Sequence, residues 1–309
     1  MKVLAFDTSN YTTSVAVFDG NGGKNASRLL DVAPGALGLR QSDALFAHVK
    51  RLPELADRLF CDMGAFVPDA VGASTRPRAV EGSYMPCFLA GQAQAEVFSS
   101  ALKIPFYAFS HQQGHVAASI WSAGRMELLD KPHLAWHLSG GTTELLYITP
   151  EGVSVHAEKI GGTTDISAGQ LIDRTGQLLE LPFPAGKVLD ALSKEGSGKE
   201  FFRVKVQDTS FSLSGVQNKI QEFYAHGASK ADTAAYALRC LIGAILKATE
   251  NALRQYPHCE VVFAGGVSSN SMLRERCRAL PAVFCAPEFS TDNAMGTAIL
   301  TWRAHNAGL

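Results

Sequence analysis

The sequence predicts a duplicated α/β protein in two halves, and three stretches carry that prediction. The chain opens with a strand, Val3-Leu4-Ala5-Phe6, a polar turn, Asp7-Thr8-Ser9-Asn10-Tyr11, and a strand rich in β-branched residues from Thr12 to Phe18. After a linker at Ser122-Ala123-Gly124 the same form returns, with apolar strands at Leu134 to Leu138 and Leu145 to Thr149 around the turn Ser139-Gly140-Gly141-Thr142-Thr143. A third glycine turn follows the strand Val261-Val262-Phe263-Ala264, where Gly265-Gly266 breaks the run and Ser268-Ser269-Asn270 caps a helix through Leu273 and Cys277. Two strand–turn–strand units, each opening an α/β half, imply an internal duplication with a ligand held between the halves. The halves are expected at residues 1–130 and 131–309. There is room for the last helix to pack back on the N-terminal lobe.

Composition narrows the function classes. A chain of 309 residues has ample length for a core in each half. A formal charge of −1 gives no global attraction for nucleic acid, so an RNA partner needs a local basic patch. The six cysteines include no Cys-x-x-Cys pair and several sit in apolar surroundings, which reads as reduced packing residues of a cytoplasmic protein. The opening apolar run is too short for a signal peptide, and no window is long enough to span a membrane.

The remaining elements follow in order. Ser42 is read as the cap of a helix through Leu45, Val49 and Leu52 towards Phe60, with Pro53 bending or splitting it. Ala70 to Ser74 is a short buried strand, and the loop Thr75-Arg76-Pro77-Arg78 carries two arginines that suit either solvent or phosphates. Met85 to Leu102 makes a small-residue-rich helix. Helices are also expected at Ala168 to Leu181, Val216 to Ala225 and Asp232 to Tyr256, the last apolar enough on one face to be core.

The chemistry concentrates at His111-Gln112-Gln113-Gly114-His115, which follows the apolar run Ile104 to Phe109. With Ser110 as N-cap, residues four apart share one helix face, so the two imidazoles can converge on one ion. An arbitrary histidine pair at a helix start more often only hydrogen-bonds or meets solvent. A zincin peptidase would have glutamate where Gln112 stands, and an amide is no general base. The spacing therefore favours a metal site and argues against peptide hydrolysis. Asp292, in Ser290-Thr291-Asp292-Asn293, is the best candidate for a third, hard ligand. Two histidines and a carboxylate leave open positions on zinc or ferrous iron. The glycine turns suit anions, because backbone N–H groups can approach closely there and a helix N-terminus adds its dipole. Asp173 is by itself an ordinary solvated or Arg-paired carboxylate on the Ala168 helix.

In order along nearly the whole chain, these residues resemble the Gcp/TsaD family of tRNA threonylcarbamoyladenosine transferases, once called O-sialoglycoprotein endopeptidases. Leu4 to Ser9 resembles the family's opening strand and turn, His111 and His115 its His-x-x-x-His, and Ser139-Gly140-Gly141 its Ser-Gly-Gly loop. Asp173, Pro184-x-Gly186, Phe211-Ser212-x-Ser214-Gly215, Ala264-Gly265-Gly266-Val267-Ser268-x-Asn270 and Thr291-Asp292-Asn293 continue the match. The resemblance implies a two-lobed fold of the actin, sugar-kinase and Hsp70 kind, with nucleotide in the interlobe cleft. It implies that His111, His115 and Asp292 bind one divalent ion, iron or zinc. By the same resemblance His137, Leu138, Ser139, Gly140, Gly141, Asp173, Gly186 and Asn270 hold an adenine nucleotide or the threonylcarbamoyl-adenylate.

The implied reaction moves the threonylcarbamoyl group from that adenylate to the amino group of the adenosine 3′ of certain tRNA anticodons, releasing AMP. The implied partners are tRNA and accessory proteins of the same pathway. The sequence departs from the family's pattern in several places. Ser9-Asn10-Tyr11-Thr12 replaces Ser-Cys-Asp-Glu, Thr142 and Glu144 replace a histidine and a glutamine, Ile166 replaces an aspartate, and Arg76-Pro77-Arg78 replaces Gly-Pro-Gly. Asp7 is then the acid left near the opening turn, a candidate base or ligand of a metal-bound water. Because acid–base positions are lost, the competing expectation is a non-catalytic paralogue that binds nucleotide and metal as a regulatory or interaction partner.

Overall fold

A computed structural model describes residues 1–9, 11–31, 39–64 and 66–309; Asn10, one of the departures from the family pattern, lies outside them. The first half runs β1 (Val3–Thr8), β2 (Thr12–Phe18), β3 (Gly23–Leu29), α1 (Gln41–Met63), β4 (Ala70–Arg76), α2 (Leu89–Leu102), β5 (Phe106–Ser110) and α3 (His111–Ser122). The second opens with β6 (His133–Leu138), β7 (Thr143–Glu151), β8 (Ser154–Thr163), α4 (Ala168–Leu178) and α5 (Gly186–Ser193). It continues through β9 (Val206–Gln207), β10 (Ser210–Phe211), α6 (Ser214–Ala225), α7 (Lys230–Gln255), β11 (Val261–Ala264), α8 (Ser271–Arg276), β12 (Ala282–Phe284) and α9 (Met295–Asn306).

The duplication is written in the strand order. The first sheet is ordered β3-β2-β1-β4-β5, and the second contains β8-β7-β6-β11-β12, the same sequence of neighbours one half later. In each, the first strand pairs antiparallel with its hairpin partner and parallel with the strand that follows a helical connection. The second sheet adds β10 and β9 beyond β8. Two compact units result: residues 1–131, 149–157 and 292–309 form one, and residues 132–148 with 158–291 form the other. Relative to a single boundary after residue 130, the segment 149–157 and the final helix group with the first unit.

In the first unit both sheet faces are covered, which is why β1 and β2 are buried along their whole length. Leu4 and Phe6 pack with Leu52, Leu55 and Leu59 of α1 and Ala90 and Ala95 of α2. The other face meets α9, so closely that a Cβ on Gly72 would fall 1.9 Å from Thr301 Oγ1. In the second unit Trp136, Phe211 and Phe263 share a core with Leu241 and Ile245 of α7. The buried indole is satisfied, Trp136 Nε1 donating to Thr249 Oγ1 at 2.8 Å.

Several expectations are corrected. Ser42 lies inside α1, whose N-cap is Arg40 with no side-chain cap, and Pro53 neither ends nor splits that helix. A 3-10 turn at Pro86–Phe88 precedes α2, so that helix begins at Leu89 rather than Met85. The Ala168 helix stops at Leu178, where Glu180 takes a positive φ of 58°. β3 and β8 are strands that periodicity misses. β3 is a largely exposed edge in which Lys24, Asn25, Ser27 and Arg28 interrupt any apolar run, and β8 carries charges and the Gly161-Gly162 pair.

Candidate functional site

The histidines reach their positions through an accurately started helix. Ser110 Oγ accepts from Gln113 N at 3.3 Å while Gln113 Oε1 accepts from Ser110 N at 2.9 Å, a reciprocal capping box. The Gln113 amide also donates to Val155 O at 3.0 Å, tying the first turn to its surroundings. His111 and His115 then lie one above the other, ring centroids 4.3 Å apart. Asp292, just ahead of α9, comes to them from the far end of the chain. Its Oδ1 is 2.9 Å from His115 Nε2 and 3.4 Å from His111 Nε2. One donor atom from each residue lies within 4.8 Å of the other two.

A shell of hydroxyls and one carboxylate holds His111 and Asp292. Asp7, 1 % exposed, faces His111 Nδ1 at 2.8 Å and also accepts from Ser74 Oγ and Ser9 N. That carboxylate favours a proton on Nδ1 and leaves the Nε2 lone pair for an ion. The second oxygen of Asp292 accepts from Ser9 Oγ at 3.1 Å and Thr12 Oγ1 at 3.3 Å. Ser74 meets Thr297 of α9 at 2.9 Å, closing the network.

The electrostatics agree with a cation site. Burial alone would push His111 towards the neutral ring. The Asp7 charge and the hydrogen bonds of Asp292 and Asp7 outweigh it and hold its pKa well above the ordinary imidazole value. Burial would likewise raise both carboxyls, and the imidazoles bring Asp292 well below its usual range and Asp7 below it too. A pair of carboxylates that favours a proton at this spot also favours a metal ion. Two imidazole nitrogens and a carboxylate oxygen, with oriented partners behind them, fit a divalent ion of the zinc or iron kind.

Asp7 is the acid that the sequence offers as a candidate base or ligand of a metal-bound water. It is enclosed and its oxygens are engaged by His111, Ser74 and Ser9, so it is placed to position an imidazole rather than to take a proton from substrate. Sequence reasoning passed over Ser9, Thr12 and Ser74, which are small hydroxyl residues without a distinguishing pattern.

The other proposed residues lie in the second unit. His137 is half-buried near the end of β6 and Leu138 is fully buried, so the latter offers only backbone. The hairpin turn after it is closed by Ser139 N to Thr142 O at 2.8 Å and by Thr142 N to Ser139 Oγ at 3.0 Å. It rests against the start of α4, where Gly169 N donates to Ser139 O and Ser167 Oγ to Gly140 O at 2.6 Å. A Cβ on Gly169 would lie 2.5 Å from Gly140 Cα, so glycine is what lets helix and turn touch. Gly140 and Gly141 themselves face open space.

Asp173 uses one oxygen to accept from Ala185 N at 2.9 Å, beside Gly186 at the start of α5; its other oxygen has no partner among the described residues. Asn270 is engaged on both sides. Its Oδ1 accepts from Leu273 N at 3.0 Å as N-cap of α8, and its Nδ2 donates to Asp190 Oδ1 at 2.9 Å. These bonds use one of the two donor positions and one of the two acceptor positions of that amide.

One further cluster was missed. Asp165 accepts from the N–H groups of Ile166, Leu213 and Ser214 and from the hydroxyls of Ser212 and Ser214. Burial would raise its pKa, and these donors hold it far below the usual carboxylate range. The serines of the Phe211-Ser212-x-Ser214-Gly215 motif are thus the clamp on Asp165, joining the end of β8 to the start of α6.

With this geometry in hand, comparison with known proteins is direct. The family model for TsaD, tRNA N6-adenosine threonylcarbamoyltransferase, matches residues 38–299. The tRNA N6-adenosine threonylcarbamoyltransferase of Streptococcus suis is 32 % identical over 296 residues, covering 90 % of this chain and 83 % of that protein. Its namesake in Thermus thermophilus is 32 % identical over 318 residues, covering 100 % and 94 %. Among solved structures, HypF of T. kodakarensis superposes with TM-score 0.65 at 15 % identity. The match covers 99 % of this chain and 48 % of HypF, so the chain spans about half that protein's length. A ROK hexokinase from Thermus thermophilus gives TM-score 0.53 at 15 % identity, covering 100 % of both chains. These structural likenesses establish the duplicated α/β fold of the actin, sugar-kinase and Hsp70 kind. The match over most of the sequence establishes more: this chain belongs to the family of tRNA N6-adenosine threonylcarbamoyltransferases.

Proposed function

We propose that the protein transfers a threonylcarbamoyl group from its adenylate to the N6 amine of the tRNA adenosine next to the anticodon, in a metal-dependent reaction. The observation that carries this reading is the convergence of His111, His115 and Asp292, with His111 and Asp292 held by buried partners, in a chain of this family. These three residues would hold the ion, zinc or ferrous iron. When bound it supplies a Lewis acid able to polarise an acyl oxygen.

The chain's own residues do the rest by positioning. Asp7 keeps the His111 ring in one tautomer and orientation, and Ser9 and Thr12 keep Asp292 turned towards the histidines. The turn from His137 and Leu138 through Ser139, Gly140 and Gly141 would lay its backbone along the adenylate, with no side chain on the glycines to hold it away. Asp173, with one oxygen free and Gly186 beside it, suits ribose hydroxyls. Asn270 would act by fixing the turn that precedes α8.

Transfer of an acyl group to nitrogen expels AMP and one proton, and the substrate amine is itself the nucleophile. The reading therefore asks for oxyanion stabilisation and placement more than for a strong protein base. All six cysteines are free thiols, and burial pushes Cys87, Cys240 and Cys277 up to about 11, which leaves those three inert. Together with helices none of which, among the described residues, is long and apolar enough to cross a membrane, this suits work on tRNA in the cytoplasm. Accessory proteins of the pathway would supply RNA-binding surface that a chain of net charge −1 lacks overall.

The test is reconstitution. tRNA from a strain lacking the modification is incubated with this protein, its partner proteins, the adenylate donor and zinc or ferrous iron. Threonylcarbamoyladenosine should appear with the wild type and fall by about tenfold or more with His115→Ala and with Asp292→Ala. Absence of product with the wild type, in a mixture where a family relative succeeds, would overturn the transfer reading and leave a nucleotide- and metal-binding paralogue.

A further inference from the structure

We propose that the turn Arg76–Tyr84 is an RNA-docking element, its arginines meeting backbone phosphates and Tyr84 stacking on an unpaired base of a single-stranded loop. This rests on the reading that the substrate is RNA and assigns the surface that would meet it. The segment is where the sequence departs from the family's glycine loop, so the feature belongs to this chain.

The turn is built and exposed. Ser83 Oγ accepts from Arg78 N at 3.0 Å, Ser83 N donates to Val80 O at 3.2 Å, and Gly82 takes φ +74° to close the bend. Arg76 and Arg78 are exposed on it, against one acid, Glu81. No partner among the described residues engages the Arg76 guanidinium. Tyr84 is 63 % exposed, and Val80 54 %. Guanidinium groups with an exposed aromatic ring are what single-stranded RNA loops bind, because phosphates accept from the planar fork and every base has a face to stack.

The turn is also wired to the metal centre. Arg76 pairs in register with Ser110, the cap residue before His111. Pro77 O accepts from Gln112 N at 3.0 Å, between the two histidines in sequence. Ser74, two residues before Arg76, holds Asp7 against His111. A substrate gripped by this turn is therefore held beside the residues proposed to bind the ion. Two exposed arginines and an exposed ring on one turn suit a polymer with several phosphates and splayed bases.

The experiment measures binding of a labelled RNA hairpin with an anticodon-type loop to the full-length chain across a salt series. The double variant Arg76→Gln/Arg78→Gln should lower the salt slope by about 1.4, since each single-strand phosphate that is no longer neutralised removes roughly 0.7. Tyr84→Ala should weaken binding about tenfold with little change in slope, and Tyr84→Phe should bind as the wild type does. A fully paired RNA duplex should be insensitive to Tyr84. Melting temperatures and adenylate-induced thermal shifts should stay at wild-type values in all variants.

No hairpin binding by the wild type even at low salt, or unchanged slope and affinity in the variants, overturns the proposal. Variant-sensitive RNA binding by a protein that makes no threonylcarbamoyladenosine would sink the transfer reading alone. Normal transfer with an unchanged KM for tRNA in the variants would sink this assignment alone.

Discussion

At the scale of single residues, the candidate centre depends on groups that never touch the ion. Asp7 is the clearest, since its burial is tolerated because His111, Ser74 and Ser9 all meet it. In Asp7→Asn one oxygen becomes an amide, which must donate either towards a hydroxyl or towards His111 Nδ1. The ring then loses its fixed tautomer. Metal affinity measured by titration should fall about 10- to 100-fold, as for other partners behind a histidine ligand. The thermal stability of the metal-free chain should change much less than metal binding does, because the side chain keeps its volume. Unchanged affinity in Asp7→Asn would show that the carboxylate does not orient the ring. The histidine spacing was legible in the sequence because a helix fixes residues four apart on one face. Asp7 was visible as an acid but not in its role. That role depends on β1, β4 and β5 lying side by side, which brings residue 7 against residue 111 across 104 positions of sequence.

At the scale of elements, the geometry of the three donors reduces to one helix crossing. Gly114 of α3 lies between His111 and His115, and Gly296 of α9 is four residues after Asp292. A Cβ on Gly296 would lie 1.7 Å from Gly114 O, so the two backbones touch there. A Cβ on Gly114 would meet Thr297 Oγ1 at 3.0 Å, a tighter fit than usual but against a side chain. Gly296→Ala must therefore push the helices apart, at a cost of about 1–3 kcal/mol or more for overpacking. It should also separate Asp292 from the histidines. Gly114→Ala should be the milder change on both counts. Denaturant midpoints and metal titrations on the two variants would decide it, and wild-type metal affinity in Gly296→Ala would count against the crossing as the device that sets the site. Neither glycine stood out in the sequence. The clamp on Asp165 was obscure for a similar reason: its donors come from residues 212–214, and only the pairing of β8 with β10 brings them near.

At the scale of the whole molecule, the chain's last helix is a structural part of its first unit. Of α9, Met295, Gly296, Thr297, Ala298, Ile299, Leu300, Thr301 and Ala304 are buried. It packs on β1, β2, β4 and α3, all of them in that unit. Large apolar side chains such as Met295, Ile299 and Leu300 contribute about 1.5–3 kcal/mol each when fully buried. That is a large share of the margin by which a domain is stable.

The core of the second unit, built around Trp136, Phe263 and the buried face of α7, shares no residue with the cluster of Leu4, Phe6 and Leu52 in the first. A chain ending at Thr291 should therefore lose amide-exchange protection in β1, β2 and β4 while keeping it in β6, β11 and α7. It should bind no metal at this centre. Asp292→Ala should lose metal in the same way yet keep protection in both units, because it deletes a ligand without touching the helix. The pair of measurements separates the two jobs of the chain's end. If deletion strips protection from α7 and β6 as well, the units do not fold independently, and the dependence of the centre on α9 would have to be argued from Gly296 alone.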